Sequence, residues 1–353
     1  MNLEDLGYSD FFESGRNQLG LDSFAVARVI AEHRGLYRVL TASGEYTAKV
    51  TGKQMFEASS REDYPAVGDW VAITELDAEQ AVIEGVLSRR TILKRKESGS
   101  FGVQIIATNV DTAFIVQAVG RDFSLNRFER YTTMISAGGV QPSIILNKSD
   151  MVSKEELDEM VARIKTRIHD IGITAVSALT EEGIEGLSAQ LVKGKTYCFV
   201  GSSGVGKSSI INKLIGEKVL ETGETSSRTN KGKHVTTARE LLILSGGAMV
   251  IDNPGMRELG MLDSETGIGE IFDEIIEIEK SCKFSDCTHT NESGCVVRAA
   301  IASGMLDEKH YESYQKLEKE NDFNEMTTQE KRGKDRAFGK FLKKAKEQIK
   351  KYK

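Results

Sequence analysis

The chain lacks what a membrane or secreted protein would carry. No apolar run in its 353 residues reaches the roughly 20 that a bilayer-spanning helix needs, so no membrane partner is expected. The opening stretch MNLEDLGYSDFFESG is acidic and has no basic segment leading into an apolar one. No signal peptide is expected, and a cytoplasmic location is. Cysteine is scarce: there are 4, and three fall within fourteen residues of one another. Compartment and odd number both exclude a disulfide framework for those three. Tryptophan occurs once, at Trp70, where a turn enters an apolar run and core packing is the expected role. Internal repeats and long low-complexity stretches are missing, so no repeat architecture is expected. Positive charge is also short over most of the length. The net charge is −6, yet residues 331–353 hold 11 Lys/Arg against 2 Asp/Glu, a net of +9 that leaves −15 on the rest. A basic tail on an acidic body is either a polyanion-binding arm or a solvated helix.

What is present suits a soluble globular chain of two or three domains: 39% apolar and 28% charged residues. Residues 1–22 are polar with scattered aromatics and read as a loosely held lead-in. From 23 to 99, five short β-runs are split by turns (FAVARVI, GLYRVLTA, EYTAKVTG, DWVAITEL, AVIEGVLSR). Five alternating strands predict a small antiparallel barrel of the oligonucleotide-binding (OB) type. Arg89, Arg90, Lys94, Arg95 and Lys96 cluster at its end, as a phosphate contact or a solvated edge. From 100 to 267 apolar runs alternate with helical segments near 125–137, 154–171 and 183–192, which implies a parallel sheet flanked by helices. ELLILS and GAMVID add a hairpin. From 268 to 353 the sheet pattern stops, and helices, a Cys/His cluster and the basic tail follow.

Strand TYCFV runs into Gly201-Ser202-Ser203-Gly204-Val205-Gly206-Lys207-Ser208-Ser209 and then the apolar helix INKLIG. This is a phosphate loop. Glycines let successive N–H groups point at phosphate oxygens, and the helix N-terminus adds its positive end. Lys207 is expected to bridge the β- and γ-phosphates, and Ser208 to ligate Mg²⁺. Asn147-Lys148-Ser149-Asp150 ends the buried run SIIL and fits a guanine clamp. Asp150 would accept from the guanine ring N–H and amine, and adenine would leave that carboxylate unpaired. Lys148 would lie along the base, and Asn147 would tie the clamp to neighbouring loops. Ser177-Ala178 fits the second base-recognition turn.

Asp252-Asn253-Pro254-Gly255 matches a DxxG switch, with Asp252 near Mg²⁺ and the Gly255 N–H near the γ-phosphate. Residues 232–237 fit a first switch, with Thr237, or failing it Thr236, completing the Mg²⁺ shell. Two expected features are missing. Met256 stands where many GTPases place a water-orienting Gln, so intrinsic hydrolysis should be slow without a partner. His234 is the one nearby imidazole by sequence. It is either the water-positioning group or a loop histidine with a structural hydrogen bond. Gly204 stands where potassium-dependent GTPases carry Asn, so no potassium site is expected.

Cys282-x4-Cys287-x-His289-x5-Cys295 supplies three thiolates and one imidazole, the tetrahedral zinc count, and predicts one structural zinc ion. Cys198 is expected to be inert core. His33, His169 and His310 have no evident partner.

In chain order the guanine clamp precedes the phosphate loop, the reverse of an ordinary small GTPase. A β-barrel, a circularly permuted GTPase and a Cys/Cys/His/Cys module together resemble the RsgA (YjeQ/YloQ) family over nearly the whole chain. The resemblance implies a GTPase acting in late maturation of the small (30S) ribosomal subunit, with hydrolysis stimulated by the subunit and coupled to release. It puts the family's clamp on Asn147, Lys148 and Asp150, its phosphate loop on residues 201–208, and its zinc ligands on Cys282, Cys287, His289 and Cys295. The family's proposed first-switch histidine matches His234. Asn253 departs from the family's usual Thr, at a variable position. The implied partners are GTP or GDP and the subunit with its rRNA, bound by a monomer. A switch joined directly to the C-terminal module would pull on an RNA-facing domain.

Two other readings compete. A non-hydrolysing, nucleotide-stabilised RNA-binding scaffold is kept alive by Met256. A small-molecule kinase of the phosphate-loop class has no reason to carry a guanine clamp.

Overall fold

The computed structural model describes residues 2–33, 35–96, 103–120, 123–216, 239–252, 268–269, 271–284 and 286–326. Five strands come first: β1 (Ala25–His33), β2 (Leu36–Leu40), β3 (Glu45–Val50), β4 (Trp70–Glu75) and β5 (Gln80–Val86). Each of the five expected β-runs forms one. They pair in the order β1-β2-β3-β5-β4, and β4 returns to β1, so the barrel closes. Only the β3–β5 pair is parallel. Every second side chain points inward, and Val29, Val39, Ala48, Val71 and Ile83 are fully buried.

The nucleotide-type sheet contains β8 (Thr112–Ala118), β9 (Gln141–Asn147), β10 (Gly172–Val176), β11 (Thr196–Val200), β12 (Arg239–Ile243) and β13 (Met249–Asp252). Its order is β10-β9-β8-β11-β13-β12, parallel except for β12, which forms the expected hairpin with β13. Both faces of β8 and β9 are buried, which explains their unbroken apolar runs. One face packs on α5 (Ile184–Ala189) and α6 (Lys207–Ile215). The other packs on α3 (Leu125–Ala137) and α4 (Lys154–Lys165). Helix α4 starts directly after the clamp because Ser153 and Glu156 form a capping box, hydroxyl to amide 3.2 Å and carboxylate to amide 2.9 Å.

Three features were not foreseen. Ile92–Lys96 (β6) leaves the barrel and pairs with β7 (Val103–Thr108) as a separate hairpin. The basic cluster there is largely satisfied internally. Arg89 holds buried Asp69 with two hydrogen bonds of 2.9 and 2.7 Å, Arg90 pairs with Asp111 at 2.7 Å, and Lys94 with Glu62 at 3.1 Å. The barrel's β1 also joins the second sheet through β12, at Ala31↔Glu240 and Glu32↔Arg239. Finally, the lead-in is docked rather than loose. Leu6 and, on α1 (Asp10–Gln18), Phe12 are buried to 1% exposure or less. Tyr8 and Phe12 pack on Trp70, itself core as expected.

The barrel also carries α2 (Gly52–Glu57). The C-terminal part comprises α7 (Asp273–Lys280), α8 (Val296–Ala302) and α9 (Glu308–Glu325). No helix among the described residues is long and apolar enough to cross a membrane.

Candidate nucleotide site and Cys/His cluster

The two inverted motifs end neighbouring regions of one sheet. Strand β11, which delivers the phosphate loop, lies beside β8, and β8 lies beside the clamp strand β9. Chain order is reversed, but both loops leave the same C-terminal edge, where open α/β sheets bind ligands.

Asn147 joins them. Its side-chain amide donates to the Val205 carbonyl at 2.7 Å, and its side-chain oxygen accepts from the Ala178 N–H at 3.2 Å. One buried side chain thus holds the phosphate loop and the Ser177-Ala178 turn in register. Gly206 has to be glycine here. Its φ is +96°, and a Cβ would sit 2.2 Å from the Asn147 amide nitrogen. Gly201, at φ +141°, would place a Cβ 2.2 Å from the Val116 carbonyl oxygen. Lys148 takes a left-handed φ of 63°, which lifts the chain out of β9 and into the clamp turn. Asp150 is reached by the buried Ser177 hydroxyl at 2.5 Å, and that hydroxyl accepts from the Thr180 N–H at 3.1 Å. The sequence shows Ser177 only as part of a turn; its hydroxyl's contact with Asp150 depends on the fold.

In the phosphate loop the Lys207 ammonium donates to the Gly201 and Ser202 carbonyls at 2.7 and 2.8 Å. Ser203 and Gly204 form the loop's outer turn, and Ser208 and Ser209 lie in the first turn of α6. Asp252 ends β13, which runs parallel to β11, so the chain leaves the sheet beside the phosphate loop. His234, Thr236, Thr237, Asn253, Gly255 and Met256 lie outside the described residues.

The second constellation is also assembled. One donor atom each from Cys282, Cys287, His289 and Cys295 lies within 4.8 Å of all the others. His289 Nδ1 is 3.7 Å from the Cys282 sulfur and 3.4 Å from that of Cys295. Four ligands at zinc–sulfur distances around one ion stand about 3.7 Å apart, so the donor set fits a tetrahedral zinc site. His289 reaches in with a left-handed φ of 57°. Its other nitrogen, Nε2, lies 3.2 Å from the Glu279 carboxylate, the outer partner that fixes a ligating imidazole. Sequence reasoning missed Glu279; its one signal was a carboxylate three residues before Cys282. Burial pushes the Cys282 thiol up, but the Val297 and Val296 N–H groups together with the Cys287 and Cys295 thiols hold it below its usual value. Burial pushes Cys287 up to about 11.

The model for the RsgA GTPase family matches residues 86–262. A relative from Opitutus terrae, named small ribosomal subunit biogenesis GTPase RsgA, is 42% identical over 91% of this chain and 90% of its own length. The chain belongs to the RsgA GTPase family. A second RsgA relative, from Bacteroides thetaiotaomicron, is 36% identical over 98% of this chain and 97% of its own. YjeQ from Thermotoga maritima, a solved structure, superposes with a TM-score of 0.60 at 27% identity, covering 83% of this chain and 96% of that one. YloQ, described as a circularly permuted GTPase, shares the fold at a TM-score of 0.59 and 23% identity, covering 86% of this chain and 97% of YloQ. RsgA membership makes the chain a GTP-hydrolysing enzyme, and the inverted motifs are those of a circularly permuted GTPase.

Proposed function

We propose that the chain is a GTPase of small (30S) ribosomal subunit maturation, and that the residues gathered around Asn147 are its GTP site. Asn147 supports this most directly, because it joins a base-facing turn to a phosphate-facing loop. Asp150 and Lys148 select and cover guanine, and the backbone of Ser177 and Ala178 meets its carbonyl. The loop from Gly201 through Ser202, Ser203, Gly204, Val205, Gly206, Lys207, Ser208 and Ser209 cradles the phosphates. Lys207 stabilises charge on the transferred γ-phosphate. Asp252 and Gly255 form the second switch. Ser208 and Thr237, with Asp252 through water, would hold Mg²⁺, which offsets phosphate charge when bound. His234 positions the attacking water in place of the missing Gln.

Cys282, Cys287, His289 and Cys295 hold one zinc ion, whose part is to fold a segment with little core of its own. The barrel, the Cys/His unit and the basic tail give three grips on rRNA. GTP favours docking; the docked subunit stimulates hydrolysis, which favours release. The protein works in the cytoplasm as a monomer.

GTP turnover with and without purified small subunits tests this, using Lys207→Ala as the blank. Stimulation by subunits is expected, and its loss in His234→Ala. If subunits do not stimulate the wild type, hydrolysis is not coupled to docking on the subunit. If His234→Ala keeps full stimulation, that residue leaves the mechanism. Deleting residues 331–353 should weaken subunit binding and flatten its salt dependence; an unchanged slope would exclude the tail as a phosphate contact.

A further inference from the structure

His310, which has no evident partner in the sequence, meets a buried carboxylate 181 residues away. Its Nδ1 lies 2.8 Å from Oε1 of Glu129, whose side chain is 0% exposed. The same oxygen accepts from Arg167 at 3.2 Å. Arg167 also holds Asp307 at 3.0 Å and the Asn126 side chain at 3.1 Å. The second oxygen of Glu129 is buried and makes no hydrogen bond among the described residues. A cluster of this kind adds little stability over an apolar core. It does tolerate no slippage, because moving one partner strands a buried charge.

Its placement relative to the guanine clamp matters. Glu129 and Asn126 lie in α3, which leads into β9, and β9 ends in Asn147. Arg167 follows α4, which leads out of the clamp. Helix α3 and the turn just after α4 therefore meet the start of α9 at one carboxylate. The start of α3 is tied to the sheet as well. Gln117 exchanges hydrogen bonds of 3.1 and 3.0 Å with the Ser124 backbone, next to the register pair Ala118↔Asn147. At its other side α9 reaches the Cys/His cluster. The Tyr314 hydroxyl donates to Glu279 at 2.9 Å, and Glu279 holds His289.

We propose that Glu129 is a positioning residue that couples the C-terminal Cys/His unit to the guanine clamp through α3 and α4. This route runs apart from the covalent one through residues 253–267, and it rests on the clamp assignment above. Filling the clamp fixes the ends of β9 and α4, which steadies the seat of α9. By reciprocity, a load on the Cys/His unit changes nucleotide affinity by the same factor.

The test needs no ribosome. GDP affinity is measured first by calorimetry on the full metal-loaded chain. Amide exchange of α9 is then followed with and without GDP. In the wild type GDP should slow α9 exchange at least about fivefold, the lower end of ordinary site coupling. In Glu129→Gln that response should vanish, and GDP should bind weaker by a matching factor. If stranded Arg167 prevents folding, the neutral pair Glu129→Gln with Arg167→Met replaces it, with the same loss expected. A folded variant that keeps the full α9 response overturns the coupling, as does a wild type that binds GDP with no α9 response. Failure to bind GDP at all would overturn the clamp assignment too.

Discussion

Asn147 is 1% exposed, so it has no solvent to replace a lost partner. Truncation to alanine leaves the Val205 carbonyl and the Ala178 N–H without it. Two orphaned groups in a nearly buried junction cost about 2 kcal/mol, which is roughly 30-fold in an equilibrium constant. In the free Asn147→Ala chain the untied loop and turn can relax apart and escape part of that cost, and GDP binding has to bring them back into register, so its affinity should fall by up to that factor; calorimetric titration checks this, and unchanged affinity would remove Asn147 from the site. Gly206→Ala should be worse. Its Cβ would overlap the Asn147 amide at 2.2 Å and φ +96° is strained for alanine, so binding should fall below detection in a chain that still folds. Residues of this kind are legible in sequence because a motif's spacing encodes backbone chemistry within one turn. Glu129 and His310 are not, since nothing local announces a partner 181 residues off.

At the scale of elements, α3 and the β8–β11 strands follow from apolar runs and helical spacing. The β6–β7 hairpin does not. ILKRK alternates poorly, and its partner is an otherwise ordinary apolar run, so nothing in the segment excludes the barrel. The Cys/His loop was legible as a donor set, but Glu279 depends on how α7 packs beneath it. Its role yields a prediction. Glu279→Gln should weaken zinc binding roughly 10–100-fold, measured by competition with a chromophoric chelator, because the imidazole loses the carboxylate that orients it. Unchanged zinc affinity would assign Glu279 to packing alone. Thiol counting gives a second check. Cys198 is buried in β11, and burial pushes its thiol up to about 12, so it stays protonated and shielded at pH 8. Alkylation of the folded, metal-loaded chain should be slow at all four cysteines. After chelation three should react, and the fourth only on unfolding. Rapid labelling of three cysteines before chelation would exclude a bound metal.

At the scale of the whole molecule, the barrel and the nucleotide sheet meet around Arg28, a guanidinium 1% exposed on β1. It donates to the Leu6 carbonyl, to the Asn109 carbonyl at 3.3 Å and to the Thr196 hydroxyl at 2.8 Å, with Trp70 stacked 5.5 Å away. The N-terminal segment, the barrel and β11 thus share one buried cation. Asp5 adds an ion pair to Lys193 at 2.6 Å. Sequence could not show this, because a short polar lead-in reveals its apolar anchors only against distant partners. Deleting residues 2–20 removes buried Leu6 and Phe12, together worth roughly 4 kcal/mol. It also leaves Arg28 short of an acceptor and bares one side of Trp70. That is a large part of a domain's usual 5–15 kcal/mol, so the urea midpoint should drop sharply. The deleted residues make no hydrogen bond to the clamp or the phosphate loop among the described residues, so GDP affinity at low temperature should stay within about twofold. Lost affinity with an unchanged midpoint would mean that the segment acts on the nucleotide site rather than on the junction.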